Sequence, residues 1–467
     1  MHYASIVRIL AWLGLVMAGC CGIGASVALI HGERAPLIAF ATTALVISVI
    51  CTSVLLLAPA RQEVSRPRDG LGALILFWFL SPPLAGLVFL LSVPGAGFLL
   101  AMEEAASCLT TTGYSVLPLA PDDWPVSLIV WRGVLHLYGA LVSLTAVASI
   151  FAAINLGGPG VHRTVLFTIP DGSFFDALPR VIIGAGIALG ATVVVLGVTL
   201  AIARAPLAIA LADAVSVATT GLVMPGRAQA GPSNDVQGVI LFIGLLFSTV
   251  GLAVALEVRA GRWRHALRDP ELVTLAILAL IFIAITVALG ERLVDGAGWA
   301  IAELSTSGLP VNASGIEQRM PLPVALLPAM IGGSALSTAG GVKLARIFVL
   351  SARAVQEFRT LAFRKAVGVF AFRGRVQPEK AIIAVWVYLV GYVITLAIVL
   401  FLFALGGFGF EDALASTVGV LSNAGHLVVT DSDRNTWLSV VSVVAMALGR
   451  LEVLAAVPAL VPSFWRG

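Results

Sequence analysis

The sequence predicts an all-α membrane protein of ten transmembrane helices. Four helix–pore-loop–helix repeats with pseudo-fourfold symmetry surround one pore, and two extra N-terminal helices precede them. Three observations carry this prediction. Of 467 residues, 59% are hydrophobic and only 11% are charged, against about 25% charged in a soluble domain. Apolar runs of about twenty residues, the length of one helical crossing, recur along the chain. One phrase appears four times: a long apolar span, a half-length span ending in small hydroxyl or amide residues and a glycine, a polar stretch, and another long apolar span.

In chain order, the apolar pattern predicts spanning helices at 5–30, 37–59, 71–94, 126–155, 180–206, 237–259, 271–291, 322–366 (interrupted), 380–406 and 437–461. The first run, Ile6 to Ile30, ends in Ala25-Ser26-Val27-Ala28, which loosely resembles a signal-peptide cleavage site. Its length and the second run behind it favour a retained helix. Half-spans lie at 97–112, 209–220, 297–307 and 410–424. They are too short to cross, so each should enter and leave on one side, where only surrounding protein or a watery cavity tolerates non-helical backbone. The expected organisation is 1–60 for the two leading helices, then repeats at 61–156, 157–262, 263–368 and 369–467.

Charge placement gives the orientation. Segments 61–68, 156–180, 258–271 and 343–380 hold eighteen Lys or Arg, whereas the half-span regions hold only Arg227, Arg292, Arg319 and Arg434. The positive-inside rule puts all four half-spans outside and both termini in the cytoplasm. A net charge of +3 discriminates no partner. The basic residues do not interleave with aromatics as in a nucleic-acid surface. Cys20, Cys21, Cys51 and Cys108 fit no metal spacing.

The half-spans end in Thr110-Thr111-Thr112-Gly113, Ala218-Thr219-Thr220-Gly221, Ser305-Thr306-Ser307-Gly308 and Ser422-Asn423-Ala424-Gly425. Glycine permits positive φ, which lets a carbonyl point inward without a Cβ clash. A ring of neutral carbonyls can replace the hydration shell of K⁺, and the hydroxyls add oxygens or brace the loops. These sixteen residues are the candidate selectivity filter. Fourteen of 25 carboxylates gather on the same side, enough to concentrate cations at a mouth. Glu103, Asp213, Glu303 and Asp412 lie in or beside the half-helices, where capping or bracing is favoured over direct ion contact.

The run Ile331-Gly332-Gly333-Ser334-Ala335-Leu336-Ser337-Thr338-Ala339-Gly340-Gly341-Val342-Lys343 interrupts the third repeat. Its glycine pairs and small residues disfavour helix. The break suits either a movable gate below the filter or a static kink for close packing. Arg450, in the middle of the last span, should face a cavity or a partner. Glu452, two residues on, points to another face, so a pore-facing barrier role is favoured. Arg132 is expected as an interfacial or inter-repeat brace; His136 and His426 have no metal-ligand company, and His426, just after the fourth filter glycine, is expected as a plain hydrogen-bonded histidine ahead of a residue that tunes the mouth.

The chain resembles the membrane subunits of Trk-type potassium uptake systems, in the superfamily that includes KtrB and plant HKT transporters. The residues are Arg68-Asp69-Gly70, Leu109-Thr110-Thr111-Thr112-Gly113, Trp131-Arg132, Gly332-Gly333-Ser334 through Ser337-Thr338-Ala339-Gly340-Gly341-Val342-Lys343, Ser422-Asn423-Ala424-Gly425, Gly449-Arg450-Leu451-Glu452 and Phe464-Trp465-Arg466. The two leading helices look more like the TrkH branch. The resemblance implies K⁺ uptake across the cytoplasmic membrane and a gating loop at Gly332, Gly333, Ser334, Ser337, Thr338, Gly340, Gly341 and Lys343. It also implies Arg450 as the barrier beneath the filter, a homodimer in membrane lipid, and a cytosolic ring of TrkA-type nucleotide-binding subunits. No cofactor is implied beyond K⁺ as the transported ion. In that family a glycine in all four filters accompanies K⁺ preference. The segment Gly133-Val134-Leu135-His136-Leu137-Tyr138-Gly139 and the stretch after Gly157-Gly158 depart from the family pattern. Alternatives from the same residues are H⁺- or Na⁺-coupled symport, a Na⁺-permeable variant, or a membrane enzyme. The last would need clustered acids or histidines at a membrane face.

Overall fold

A computed structural model describes residues 3–58, 67–151, 174–251, 254, 258, 261–312, 315–316, 319–363, 371–372, 375–376, 379–430, 435–452 and 461–465. The expected boundaries at 60/61, 156/157 and 368/369 lie outside them, as do Gly157, Gly158 and Arg466. The described chain is helical apart from one antiparallel pairing of Ala371–Phe372 with Arg375–Val376.

Helices α1 (Tyr3–His31) and α2 (Arg34–Leu57) form the leading hairpin. The first unit is α3 (Pro67–Ser92), α4 (Phe98–Leu109) and α5 (Val126–Thr145). The second is α6 (Phe174–Ile202), α7 (Leu207–Thr219) and α8 (Asp235–Val250). The third is α9 (Pro270–Ala288), α10 (Leu293–Leu304), and a split span, α11 (Leu322–Ile331) and α12 (Leu344–Ala362). The fourth is α13 (Glu379–Leu405), α14 (Phe410–Leu421) and α15 (Thr436–Arg450).

Among the described residues, seven helices are long and apolar enough to cross a membrane. The other three expected spans are the shorter α8, α15 and the split α11–α12, and 453–460 lie outside the described residues. Long helices present exposed apolar side chains, such as Ile187, Val194, Leu280 and Ile398, as lipid contact requires. The half-helices α4, α7, α10 and α14 have 12, 13, 12 and 12 residues. At 1.5 Å per residue they reach about 18–20 Å, well short of a ~30 Å hydrocarbon core. Their C-terminal halves are buried: in α4 every residue from Glu103 to Leu109 is covered.

Packing closes the units into a ring. Helix α5 meets α6 and α7, α8 meets α9 and α10, α11 meets α14 and α12 meets α13, and α15 returns to α4. The hairpin packs outside this ring on α3 and α5. Glu33, between α1 and α2, caps α5 from a distance by accepting from Val126 N at 2.7 Å and Ser127 N at 3.1 Å. Two glycines bring long helices onto the ends of half-helices. A Cβ on Gly139 of α5 would collide with the Leu109 carbonyl, and one on Gly449 of α15 with the Leu421 carbonyl.

Candidate functional site

Each half-helix ends on a non-glycine residue in the left-handed region: Thr111 (φ 57°), Thr220 (54°), Thr306 (60°) and Asn423 (52°). The next residue folds back on the helix end. Thr112, Gly221, Ser307 and Ala424 each donate from backbone N to the carbonyl five residues earlier, at 2.9, 3.1, 3.2 and 2.8 Å. The Thr110 and Thr219 hydroxyls likewise both bond the carbonyl four residues back.

These bonds correct the register of the second unit. Gly221 stands level with Thr112, Ser307 and Ala424, and Leu222 stands level with Gly113, Gly308 and Gly425. The expectation of a positive φ at every turn glycine holds only at Gly113 (90°) and Gly308 (60°). Gly221 and Gly425 are required for another reason. A Cβ on Gly221 would strike the Thr111 carbonyl, and one on Gly425 the Thr112 carbonyl.

The four turns converge. Gly425 N donates to the Thr112 carbonyl at 3.0 Å, and Asn423 Nδ2 to Thr112 Oγ1 at 3.1 Å, joining units four and one. Arg132 joins units one and two: Nε donates to the Val223 carbonyl at 2.6 Å, and Nη2 to the carbonyls of Gly113 at 2.9 Å and Leu222 at 3.2 Å. His426 of unit four donates or accepts through Nε2 with Glu303 of unit three at 2.8 Å, and its ring backs Gly308. Thr111 Oγ1, Ser307 Oγ and Asn423 Oδ1 are buried oxygens at these turns without a hydrogen-bond partner among the described residues.

The acidic half-helix residues act mainly as braces. Glu104 pairs with the fully buried Arg132 and also accepts from Ser115 Oγ and Val116 N, both at 2.9 Å. Glu103 accepts from Tyr114 Oη at 2.6 Å. Asp213 takes a two-pronged bond from Arg227, at 2.9 and 2.7 Å. Asp412 instead lies exposed in the first turn of α14. Exposed acids on this side are thus fewer than the sequence count: Asp122, Asp123, Asp235, Glu411 and Asp412, with Glu291 half-buried. Glu317, Asp431 and Asp433 lie outside the described residues. The Arg319 guanidinium hydrogen-bonds Glu291 and holds its carboxyl below the usual range.

Beneath the turns, the interrupted span is more than a kink. Helix α11 stops at Gly332 (φ 73°), and the chain returns to the same place: Val342 N bonds the Met330 carbonyl at 2.9 Å and Lys343 N the Ile331 carbonyl at 2.8 Å. The excursion touches units two, three and four, and Arg450 links it to unit one. Gly340 N donates to Thr306 Oγ1 at 2.9 Å, and Thr338 Oγ1 to the Ala218 carbonyl at 3.2 Å. A Cβ on Gly340 would strike the Ser422 carbonyl. Arg450 donates to the Thr338 carbonyl at 2.7 Å and to Ser143 Oγ at 2.8 Å. Lys343 donates to the Ala339 carbonyl, folding over its own loop.

Arg450 is the last residue of α15, not its middle. The chain turns at Glu452 (φ 55°), which pairs with Arg346 of α12 rather than with Arg450. A cation at a helix C-terminus is electrostatically favoured. One guanidinium nitrogen, Nη2, is buried without a partner among the described residues.

Sequence reasoning missed Glu271. This buried residue opens α9 and accepts from Ser334 Oγ and, at 3.0 Å, from Ala335 N. A lone carboxylate at the head of a long apolar span was the available signal. It also missed Leu222, whose position only the hydrogen-bond register reveals. No group of three or more metal-binding side chains occurs among the described residues, and the four cysteines are free.

No family model matches the sequence. The chain is 27% identical to the Trk system potassium uptake protein TrkH of Escherichia coli K12 over 493 aligned residues, covering both proteins completely. It is 29% identical to TrkH of Halomonas elongata over 430 residues, 87% of this chain and 88% of that protein. It superposes on the crystal structure of the potassium transporter TrkH from Vibrio parahaemolyticus with a TM-score of 0.87 at 22% identity, covering all of both chains. The resemblance to Trk-type uptake proteins therefore runs the full length of the chain, and the fold is that of the TrkH structure.

Proposed function

We propose that this chain is the K⁺-translocating membrane subunit of a Trk-type uptake system. The observation that carries the reading is the convergence of four half-helix turns with three unpartnered buried oxygens, Thr111 Oγ1, Ser307 Oγ and Asn423 Oδ1. A buried oxygen without a donor costs about 1–3 kcal/mol, and a partly dehydrated cation supplies the missing charge. Oxygens from carbonyls and hydroxyls, with no carboxylate in the ring, suit a large monovalent cation that is bound weakly enough to leave. The full-length similarity to TrkH proteins supports K⁺ as that cation.

In this reading the turns of all four units form the filter, and the excursion 332–343 is the gate. Arg450 is the barrier that holds the gate at the Thr338 carbonyl. Passage is driven by membrane potential, worth about 2.3 kcal/mol per charge per 100 mV. The protein sits in the cytoplasmic membrane with both termini inside, as a homodimer. A TrkA-type nucleotide-binding subunit acts on the gate from the cytosolic side.

The test is rubidium uptake into proteoliposomes containing the purified chain. Uptake should follow an imposed inside-negative voltage and need no pH or Na⁺ gradient. Uptake that appears only with a pH or Na⁺ gradient would establish coupled symport instead. No cation uptake by folded protein under any gradient, with and without the regulatory subunit, would refute the transport reading.

A further inference from the structure

We propose that Leu222, not Gly221, is the second unit's member of the selectivity ring, and that it weakens the pore's choice of K⁺ over Na⁺. The inference rests on the filter reading above, and three features fix the register independently. The left-handed residue lies two positions before Gly113, Gly308 and Gly425, but one before Gly221 and two before Leu222. The fold-back bond to the carbonyl five residues earlier is made by Gly221 where Thr112, Ser307 and Ala424 make it. Gly113 and Leu222 also face each other: Arg132 Nη2 donates to both carbonyls, at 2.9 and 3.2 Å, and a Cβ on Gly113 would strike Leu222 N.

Leucine at this seat differs from glycine in what its backbone can do. Leu222 lies outside the positive-φ region that Gly113 and Gly308 occupy, and a Cβ makes that region costly. Its carbonyl is tied to Arg132. Its side chain is buried in the same apolar cluster as Ile301, Ala302 and Leu309, at the seam with unit three. Gly113 shares the Arg132 clamp, but its φ of 90° already uses a freedom that leucine lacks. The ring therefore has three glycine seats free to adopt the conformation used at Gly113 and Gly308, and one, Leu222, at which a Cβ makes that conformation costly. Discrimination between K⁺ and Na⁺ depends on the number and field strength of the coordinating carbonyls. Losing one adaptable ligand costs the larger ion more, because it needs the fuller shell.

The test is the ratio of K⁺ to Na⁺ flux in proteoliposomes of the full chain, for wild type, Leu222→Gly and Gly113→Ser, each checked for monodisperse elution. Leu222→Gly should raise the ratio by about threefold or more, and Gly113→Ser should lower it. A ratio unchanged or lowered by Leu222→Gly, with Gly113→Ser still lowering it, overturns the role of Leu222 and leaves the filter intact. Ratios unmoved by both variants refute the filter reading itself. Wild type supplies a measurement independent of the folding of any variant: Na⁺ should pass at more than about a twentieth of the K⁺ rate, and near-complete exclusion of Na⁺ overturns the proposal.

Discussion

Arg132 has no exposed surface and reaches three carbonyls and one carboxylate across two units. Removing one partner of such a buried pair typically costs about 3–5 kcal/mol. Arg132→Ala should therefore lower the melting temperature in detergent and abolish flux. Arg132→Lys should recover little of either, because an ammonium cannot supply the guanidinium fork. A near-native melting curve for Arg132→Ala would show that the clamp is dispensable. Arg450 makes the opposite prediction. Its guanidinium ties the excursion to α5 and places a positive charge beneath the turns. Arg450→Ala should raise voltage-driven K⁺ flux, and a lower flux from normally folded protein would remove the barrier role. The expected brace at Arg132 and hydrogen bond at His426 agree with their observed contacts. Leu222 was not legible, since a glycine in the sequence draws attention whichever of its two uses, conformational or steric, it serves.

At the scale of elements, the half-helices are readable because length alone decides whether an apolar run can cross. The observed Phe98–Leu109, Leu207–Thr219, Leu293–Leu304 and Phe410–Leu421 fall within a few residues of the expected segments. Composition could not separate a kink from an excursion in the third unit, because both use small residues. The excursion depends on long-range partners, Glu271, Thr306 and Ala218, that no local pattern reveals. Deleting 335–339 removes the Thr338 contacts to Ala218 and Arg450. In flux assays the deletion should raise basal K⁺ passage, and unaltered passage would reduce the segment to a structural filler. Helix starts are similarly local: Asn435 caps α15 by accepting from Leu438 N at 2.9 Å. Asn435→Ala should destabilise the protein by about 1 kcal/mol, seen as a small drop in melting temperature with ion preference unchanged.

For the whole molecule, four similar units close into one ring, yet each contributes something different. Unit one supplies the Arg132 clamp, unit two Leu222, unit three the excursion, and unit four Asn423, His426 and Arg450. The repeated phrase made the ring visible in the sequence, whereas the differences between units emerge only from contacts across the seams. Five of the fourteen outer acids, Glu103, Glu104, Asp213, Asp295 and Glu303, are buried, which lowers the electrostatic steering that the raw charge count implied. A cation bound among the four turns would show in anomalous diffraction from crystals grown in rubidium. A peak should lie on the axis between Thr111, Thr220, Thr306 and Asn423, above the Gly332–Lys343 excursion. Rubidium bound only elsewhere on the protein, with the space among the turns free of anomalous signal, would contradict the proposed filter.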